Sequence, residues 1–86
     1  MELYYDSIIK KWGIGNVRLK LYEEIEEFLE SGADDELADI YNVTLTLNHY
    51  TNGRIARIAE QKRNRTTIRM AANWYDKDGL RPKGNR

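Results

Sequence analysis

The sequence predicts an all-α protein, an antiparallel bundle of about four helices that oligomerisation completes. Apolar residues recur at steps of three and four along most of the chain, and the single proline, Pro82, bars no earlier segment from helix. Glycines fall between the periodic segments, where they end helices and form turns. With 86 residues and no cysteine, the chain has neither a large core nor a disulfide to stabilise it. Oligomerisation is therefore expected.

Four helices are expected in chain order. The first covers residues 3–12, the second covers residues 17–30, the third runs from its cap to about residue 50, and the fourth covers about residues 54–74. Asn16 is the expected N-cap of the second helix and Asp34 that of the third, because short polar side chains accept hydrogen bonds from the first turn. Strand is the minority interpretation for residues 44–47. Residues 1–75 are expected to form a single helical domain, and residues 76–86 a polar, mobile tail.

The net charge of zero conceals two oppositely charged halves. Residues 1–43 carry 11 acidic and 4 basic residues, a net charge of −7, whereas residues 44–86 carry 3 acidic and 10 basic residues, a net charge of +7. Either the halves pack on each other, or one half binds cations and the other binds phosphate. No apolar run is long enough to cross a membrane, and the N-terminus lacks the basic segment of a signal peptide. A cytoplasmic protein without a membrane partner is expected.

Four acidic side chains are expected on the inner faces of the second and third helices. Glu24 and Glu27, like Glu36 and Asp39, are three residues apart and so share a helix face. At about 100° per residue, Glu24 borders the apolar stripe of its helix and Glu36 stands within its own. A hard divalent cation such as Mg²⁺ would remove the repulsion between these carboxylates. The alternative is that acids in a first turn, such as Glu36, only favour the helix dipole.

The fourth helix carries a basic segment that is the second candidate element. On the helical wheel Lys62 lies in line with the apolar Ile55, and Arg65 and Arg69 lie beside it. These three cations are therefore candidates for phosphate binding; the alternative is a solvated basic helix whose aliphatic stems cover apolar surface. Lys20, on the acidic stripe of the second helix, is expected to form an ion pair first and to contact phosphate second.

Two segments together resemble the EExxE…ExxD signature of the MazG-like all-α nucleoside-triphosphate pyrophosphohydrolases. They are Lys20-Leu21-Tyr22-Glu23-Glu24-Ile25-Glu26-Glu27-Phe28 and Glu36-Leu37-Ala38-Asp39-Ile40. The family's basic element looks matched by Lys62-Arg63-Asn64-Arg65, and the chain is similar to short phage and prophage members. The resemblance covers about residues 8–70.

The resemblance implies hydrolysis of the α–β bond of a nucleoside triphosphate to a monophosphate and pyrophosphate, in a bacterial or phage-infected cell. It also implies a homodimer or homotetramer. It implies Mg²⁺, with Mn²⁺ as an alternative, held by Glu24, Glu27, Glu36 and Asp39. Glu23 matches the first acid of the motif and, with Glu24, is the expected catalytic pair. Phosphate contacts are expected from Lys62, Arg65, Arg69 and Lys20. No residue is assigned to the base, for which Trp12, Tyr22, Asn42 and Asn48 are weak candidates.

Two other functions remain open. A small basic-helix nucleic-acid-binding or regulatory protein would bind phosphates in a salt-sensitive way, but it would leave the inward acids without a role, so nucleic acid is not the expected partner. A catalytically degenerate member of the family would bind nucleotide without turnover. Incubation with nucleoside triphosphates and Mg²⁺ discriminates among the three.

Overall fold

The computed structural model describes residues 2–72, with side chains from Tyr4 onward, and all regular structure in this part of the chain is helical. Four helices follow one another: α1 (Glu2–Trp12), α2 (Ile14–Ser31), α3 (Asp34–Tyr50) and α4 (Arg54–Ala71). The predicted all-α class with four helices is confirmed. The strand interpretation is wrong, because α3 continues through residues 44–47. The expected tail at residues 76–86, like the end of the predicted fourth helix, lies outside the described residues.

The chain divides into two compact units, with the boundary after Ile55. The described part of the first unit contains α1, α2, α3 and the candidate acids, and the second contains α4 from Ala56 onward with the candidate phosphate-binding cations. Among the described helices, none combines the length and apolar character that a membrane span needs.

A two-residue connection folds α2 and α3 into a hairpin, against which α1 packs. Gly32 ends α2 with φ 64°, a left-handed conformation that costs glycine little, and its N–H donates to the carbonyl of Phe28 at 2.7 Å. The N–H of Ala33 then donates to Oγ of Ser31 at 3.1 Å. Because so short a connection leaves no room for a crossover, the two helices run antiparallel.

Both predicted N-caps are displaced. The N-cap of α2 is Gly13, whose φ of 80° turns the chain within one residue, so the helix begins earlier than expected. Asn16 lies inside the first turn, and its side-chain amide donates to the carbonyl of Trp12 at 2.7 Å. The N-cap of α3 is Ala33, and Asp34 is the first helical residue, where its charge favours the helix dipole.

The buried interior of the first unit is small and mostly polar. Within residues 4–72 the buried side chains are Val17, Glu24 and Thr46, which are 4%, 3% and 2% exposed. The hydroxyl of Thr46 is satisfied inside α3, since it donates to the carbonyl of Asn42 at 2.8 Å. Val17 is thus the buried apolar side chain of α2, whereas Leu29 near the end of the same helix is exposed.

His49 joins α3 to α1. Its Nε2 lies 2.7 Å from Oδ1 of Asp6, and its ring centroid lies 5.3 Å from that of Tyr5. The histidine is half-buried rather than on the open surface. Because α3 packs against α1, both partners of the imidazole come from α1.

Candidate metal centre and adjoining pocket

Three carboxylates meet between α2 and α3. One oxygen from each of Glu24, Glu27 and Glu36 lies within 4.8 Å of the others. The first two are neighbours on one face of α2, and the hairpin turn brings Glu36 opposite Glu27, with which it shares a hydrogen bond. The structure thus brings together three of the four ligands that the sequence suggests. Asp39, one turn further along α3, lies outside this cluster, is exposed, and lines the adjoining pocket.

Glu24 is the most deeply buried of the three carboxylates. Its Oε1 lies 3.0 Å from Nζ of Lys20, whereas its Oε2 is buried and has no hydrogen-bond partner among the described residues. Leaving a buried polar atom unpaired costs about 1–3 kcal/mol, and more when the group is charged. A cation beside Oε2 would remove that cost. This unpartnered atom is an observation separate from the clustering itself, and it indicates a positively charged ligand.

The carboxyl group of Glu36 is harder to ionise than an isolated one. Its pKa is raised above its ordinary value by the hydrogen bond with Glu27, by burial, and by the negative charges of Glu27, Glu24 and Asp39. In the absence of a cation the cluster therefore holds a proton more readily than separated carboxyls do. A divalent cation favours the charged form of the same oxygens, so protons and metal are expected to compete for the cluster.

Lys20 lies at the edge of the cluster and forms the ion pair that its position on the helix predicts. Its Nζ is 3.0 Å from Glu24 and 3.7 Å from Glu23. The hydrogen bond with Glu24, followed by the charge of that carboxylate, raises the pKa of Lys20. When all three clustered carboxylates are ionised, they and this ammonium have a net charge of −2, which one divalent cation would neutralise.

The donor set fits a hard divalent cation. Mg²⁺ takes oxygen ligands at about 2.1 Å, so that two ligands of one ion are at most about 4.2 Å apart. The carboxylate oxygens are no further than 4.8 Å from one another, so binding requires a contraction of at most about 0.6 Å. Glu27 and Glu36 are not fully buried and have room for this adjustment. Mg²⁺ usually keeps several water ligands or takes substrate oxygens, so three protein ligands are sufficient.

A cavity of about 570 Å³ adjoins the cluster, and Glu24 belongs to both. This volume is typical of small-molecule sites. Aromatic side chains come from α1, and the polar groups come from α2 and α3; they include Tyr4, Trp12, Lys20, Glu24, Asp39 and Asn42. The cavity therefore suits a ligand with one flat, weakly polar part and one part that binds cations.

Some lining residues escaped the sequence analysis. Tyr4 and Ile8 line the cavity with Trp12, and their spacing of four residues along α1 is the signal that could have identified them. Of the weak candidates for the base, Trp12 and Asn42 line the cavity. Tyr22 is exposed on another side of α2.

The predicted phosphate-binding cations lie on α4, in the second unit. Lys62, Arg65 and Arg69 are spaced by three and four residues and share one helix face. Lys62 and Arg65 are exposed, and Arg69 is half-buried. Their contact with phosphate stays a prediction.

No protein-family model, curated protein or solved structure matches the chain. The resemblance to MazG-like enzymes therefore rests on the spacing of its acidic and basic residues. The geometry of the carboxylate cluster is the observation from which a function has to be argued.

Proposed function

We propose that the chain is a divalent-metal-dependent nucleoside-triphosphate pyrophosphohydrolase, which cleaves the α–β phosphate bond to give a nucleoside monophosphate and pyrophosphate. The observation that carries the proposal is the carboxylate cluster, in which buried Oε2 of Glu24 has no partner. Glu24, Glu27 and Glu36 would hold Mg²⁺ or Mn²⁺, and Asp39, which lines the adjoining pocket, would be the fourth ligand.

The chemistry follows from the groups around the cluster. A divalent cation bound there would lower the pKa of a bound water and neutralise phosphate oxygens. Glu23 lines the cavity with its side chain 61% exposed, so its carboxylate can accept the proton of the attacking water. The water oxygen bonds to phosphorus at the α–β linkage, and the bridging oxygen leaves with the other product. Lys20, beside Glu23, offers a positive charge to the phosphate oxygens.

The cavity supports a nucleotide as the ligand. Tyr4 and Trp12 present rings on which a base can stack, and the side-chain amide of Asn42 offers both a donor and an acceptor for its edge. The acids at the other part of the cavity require a cation before a triphosphate can approach. A metal-bound nucleoside triphosphate satisfies both requirements.

The test is an assay of the full chain against a panel of ribo- and deoxyribonucleoside triphosphates. With Mg²⁺ present, at least one substrate is expected to give equimolar monophosphate and pyrophosphate, and chelation of the metal should stop the reaction. Glu36→Gln should abolish turnover while circular dichroism shows that the helices persist. Glu30→Gln is the control, because Glu30 is an exposed acid at the end of α2, outside the carboxylate cluster, and should leave turnover unchanged.

Three results would contradict the proposal. Release of orthophosphate instead of pyrophosphate would indicate a different hydrolase. Nucleotide binding without turnover would indicate a degenerate member of the family. Salt-sensitive binding of DNA or RNA without turnover would indicate a nucleic-acid-binding protein that uses the basic face of α4.

A further inference from the structure

The side of the α2–α3 hairpin that faces away from the pocket is apolar and exposed. Tyr22, Ile25 and Leu29 are rotated roughly 100° to 160° from Glu24 about the axis of α2. On α3, Leu37 and Tyr41 are rotated in the same sense from Glu36. In an antiparallel pair of helices, rotations in the same sense lead to the same side of the pair. The outer face consists of Tyr22, Ile25, Leu29, Leu37 and Tyr41, all exposed.

The outer face needs a cover because the first unit has almost no apolar interior. Within the described residues, Val17 is the one fully buried apolar side chain. Chains of this length bury a small share of their surface and commonly depend on a partner for stability. A contiguous exposed apolar patch is typical of an interaction surface.

On α2, the residues of the outer face and those beside it are arranged nearly symmetrically about Tyr22. Leu19 and Ile25 lie three residues before and after it, and Gly15 and Leu29 lie seven residues before and after it. No atom lies within 4 Å of the position that a side chain on Gly15 would occupy. A two-fold axis through Tyr22 would therefore set Leu19 against Ile25, and Leu29 against the open space at Gly15.

Charges on α2 follow the same symmetry. Arg18 lies four residues before Tyr22, and Glu26 lies four residues after it. Both are exposed, and neither forms an ion pair with another residue of the described chain. The same axis would place Arg18 opposite Glu26 of the partner subunit, twice in each dimer. A two-fold symmetric dimer requires such self-complementarity, whereas binding of an unrelated partner does not require it.

The part of the outer face on α3 repeats the pattern. Tyr22 lies five residues before Glu27, and Tyr41 lies five residues after Glu36. Because these two carboxyls share a hydrogen bond across the antiparallel hairpin, the two tyrosines lie at the same level along the helices. Leu37 and Leu45 lie four residues before and after Tyr41. One axis through both tyrosines therefore relates like to like on both helices.

We infer that a second copy of this chain docks on the outer face, with each of α2 and α3 antiparallel to its equivalent and the two-fold axis passing through Tyr22 and Tyr41. The metal cluster lies toward the opposite side of the hairpin, whereas the cavity reaches the edge of the interface at Leu19, which lines it. The inference does not depend on the proposed enzymatic activity, since its readout is the association state.

Charge reversal tests the symmetry. Sedimentation equilibrium of the full chain should show a dimer, and Arg18→Glu or Glu26→Arg should each raise the dimer dissociation constant tenfold or more, because like charges then meet twice per dimer. The double variant R18E/E26R should restore the dissociation constant to within about threefold. Lys10→Glu, an exposed charge reversal on α1, is the matched control and should change nothing.

A single cysteine tests the position of the axis, since the chain contains none. Tyr22→Cys should form an intermolecular disulfide under mild oxidation, because residues on a two-fold axis meet their own copies within the reach of a disulfide. Leu29→Cys should not, because it lies about 10 Å along the helix from the axis and its copy lies as far on the other side.

The inference is wrong if the wild-type chain is a monomer at micromolar concentration, as it would be if another segment of the same chain covered the outer face. It is also wrong if the double charge reversal fails to restore association while both single variants remain helical. Disulfide formation between Tyr22→Cys and Tyr41→Cys chains, without formation between Tyr22→Cys chains, would place α2 on α3 of the partner and overturn the proposed axis.

Discussion

The two sides of the α2–α3 hairpin invert the usual distribution of residues. The inner side buries Glu24 and Thr46, whereas the outer face exposes Tyr22 and Leu29. A hairpin optimised for its own stability would bury the large apolar side chains and leave the carboxylates in water. The proposed cation on one side and the inferred second copy on the other would account for the two departures independently. Substitutions that act on one side and spare the other can therefore separate the two roles.

The largest effect is expected from Glu24→Met, which replaces the buried carboxylate by an apolar side chain of similar length. Turnover should fall more than about 100-fold, because a proposed ligand of the metal is lost. The Tm of the metal-free protein should stay level or rise, because the cost of a buried, half-unpaired carboxylate disappears while the partner Lys20 remains largely exposed. Steady-state kinetics and thermal unfolding without metal measure the two quantities.

The control for this substitution is Glu30→Met on the exposed side of the same helix, which should leave both quantities near the wild-type values. A parallel fall of stability and activity in Glu24→Met would show that Glu24 stabilises the fold rather than a ligand.

A smaller effect separates the inner side from the outer face. Val17→Ala removes the buried apolar side chain and should lower the free energy of unfolding by about 1–3 kcal/mol at every protein concentration. Leu29 is 76% exposed, so Leu29→Ala should act through association alone. Thermal unfolding at several protein concentrations should show a Tm deficit for Leu29→Ala that disappears on dilution. A deficit that persists in the monomer would mean that Leu29 packs within its own chain.

The smallest effect concerns pH and the cluster. Because the folded-state pKa of Glu36 is raised, chiefly by its hydrogen bond with Glu27, the proton stabilises the folded metal-free chain. That contribution is fully present below the unfolded carboxyl pKa of about 4.3 and is lost as the pH rises through the raised value. The Tm of the wild-type chain should therefore fall relative to that of Glu36→Gln as the pH rises from acid to neutral. A Tm difference independent of pH between the two proteins would refute this account.

The carboxylate cluster could be predicted because it depends on local rules. Glu24 and Glu27 share a face through helical spacing, and a short turn brings the start of the next helix opposite them. Glu36 therefore reaches the cluster with little dependence on the rest of the fold. Asp39 lies one turn further from the connection, where the turn no longer fixes the distance between the two helices. Its distance from the cluster could therefore not be predicted from residue spacing.

The helix boundaries and the cross-helix contacts were less accessible to sequence reasoning. Asn16 has the chemistry of an N-cap, but the backbone freedom of Gly13 starts the helix before it. The contact of His49 with Asp6 joins residues far apart in the sequence, and a helical wheel contains no information about which neighbour covers a given face. For the same reason the sequence alone does not show that Leu29 is exposed.

One residue joins α1 to α2. Gly13 has φ 80° and ψ 152°; its N–H donates to the carbonyl of Ile9 and its carbonyl accepts from the N–H of Val17. Any other amino acid would be strained in this conformation. Since α1 carries Tyr4 and Trp12, the backbone conformation of Gly13 sets the orientation of the aromatic side chains that line the cavity. A substitution of Gly13 can therefore change the size of ligand that the cavity holds, although it alters neither the acidic nor the aromatic side chains.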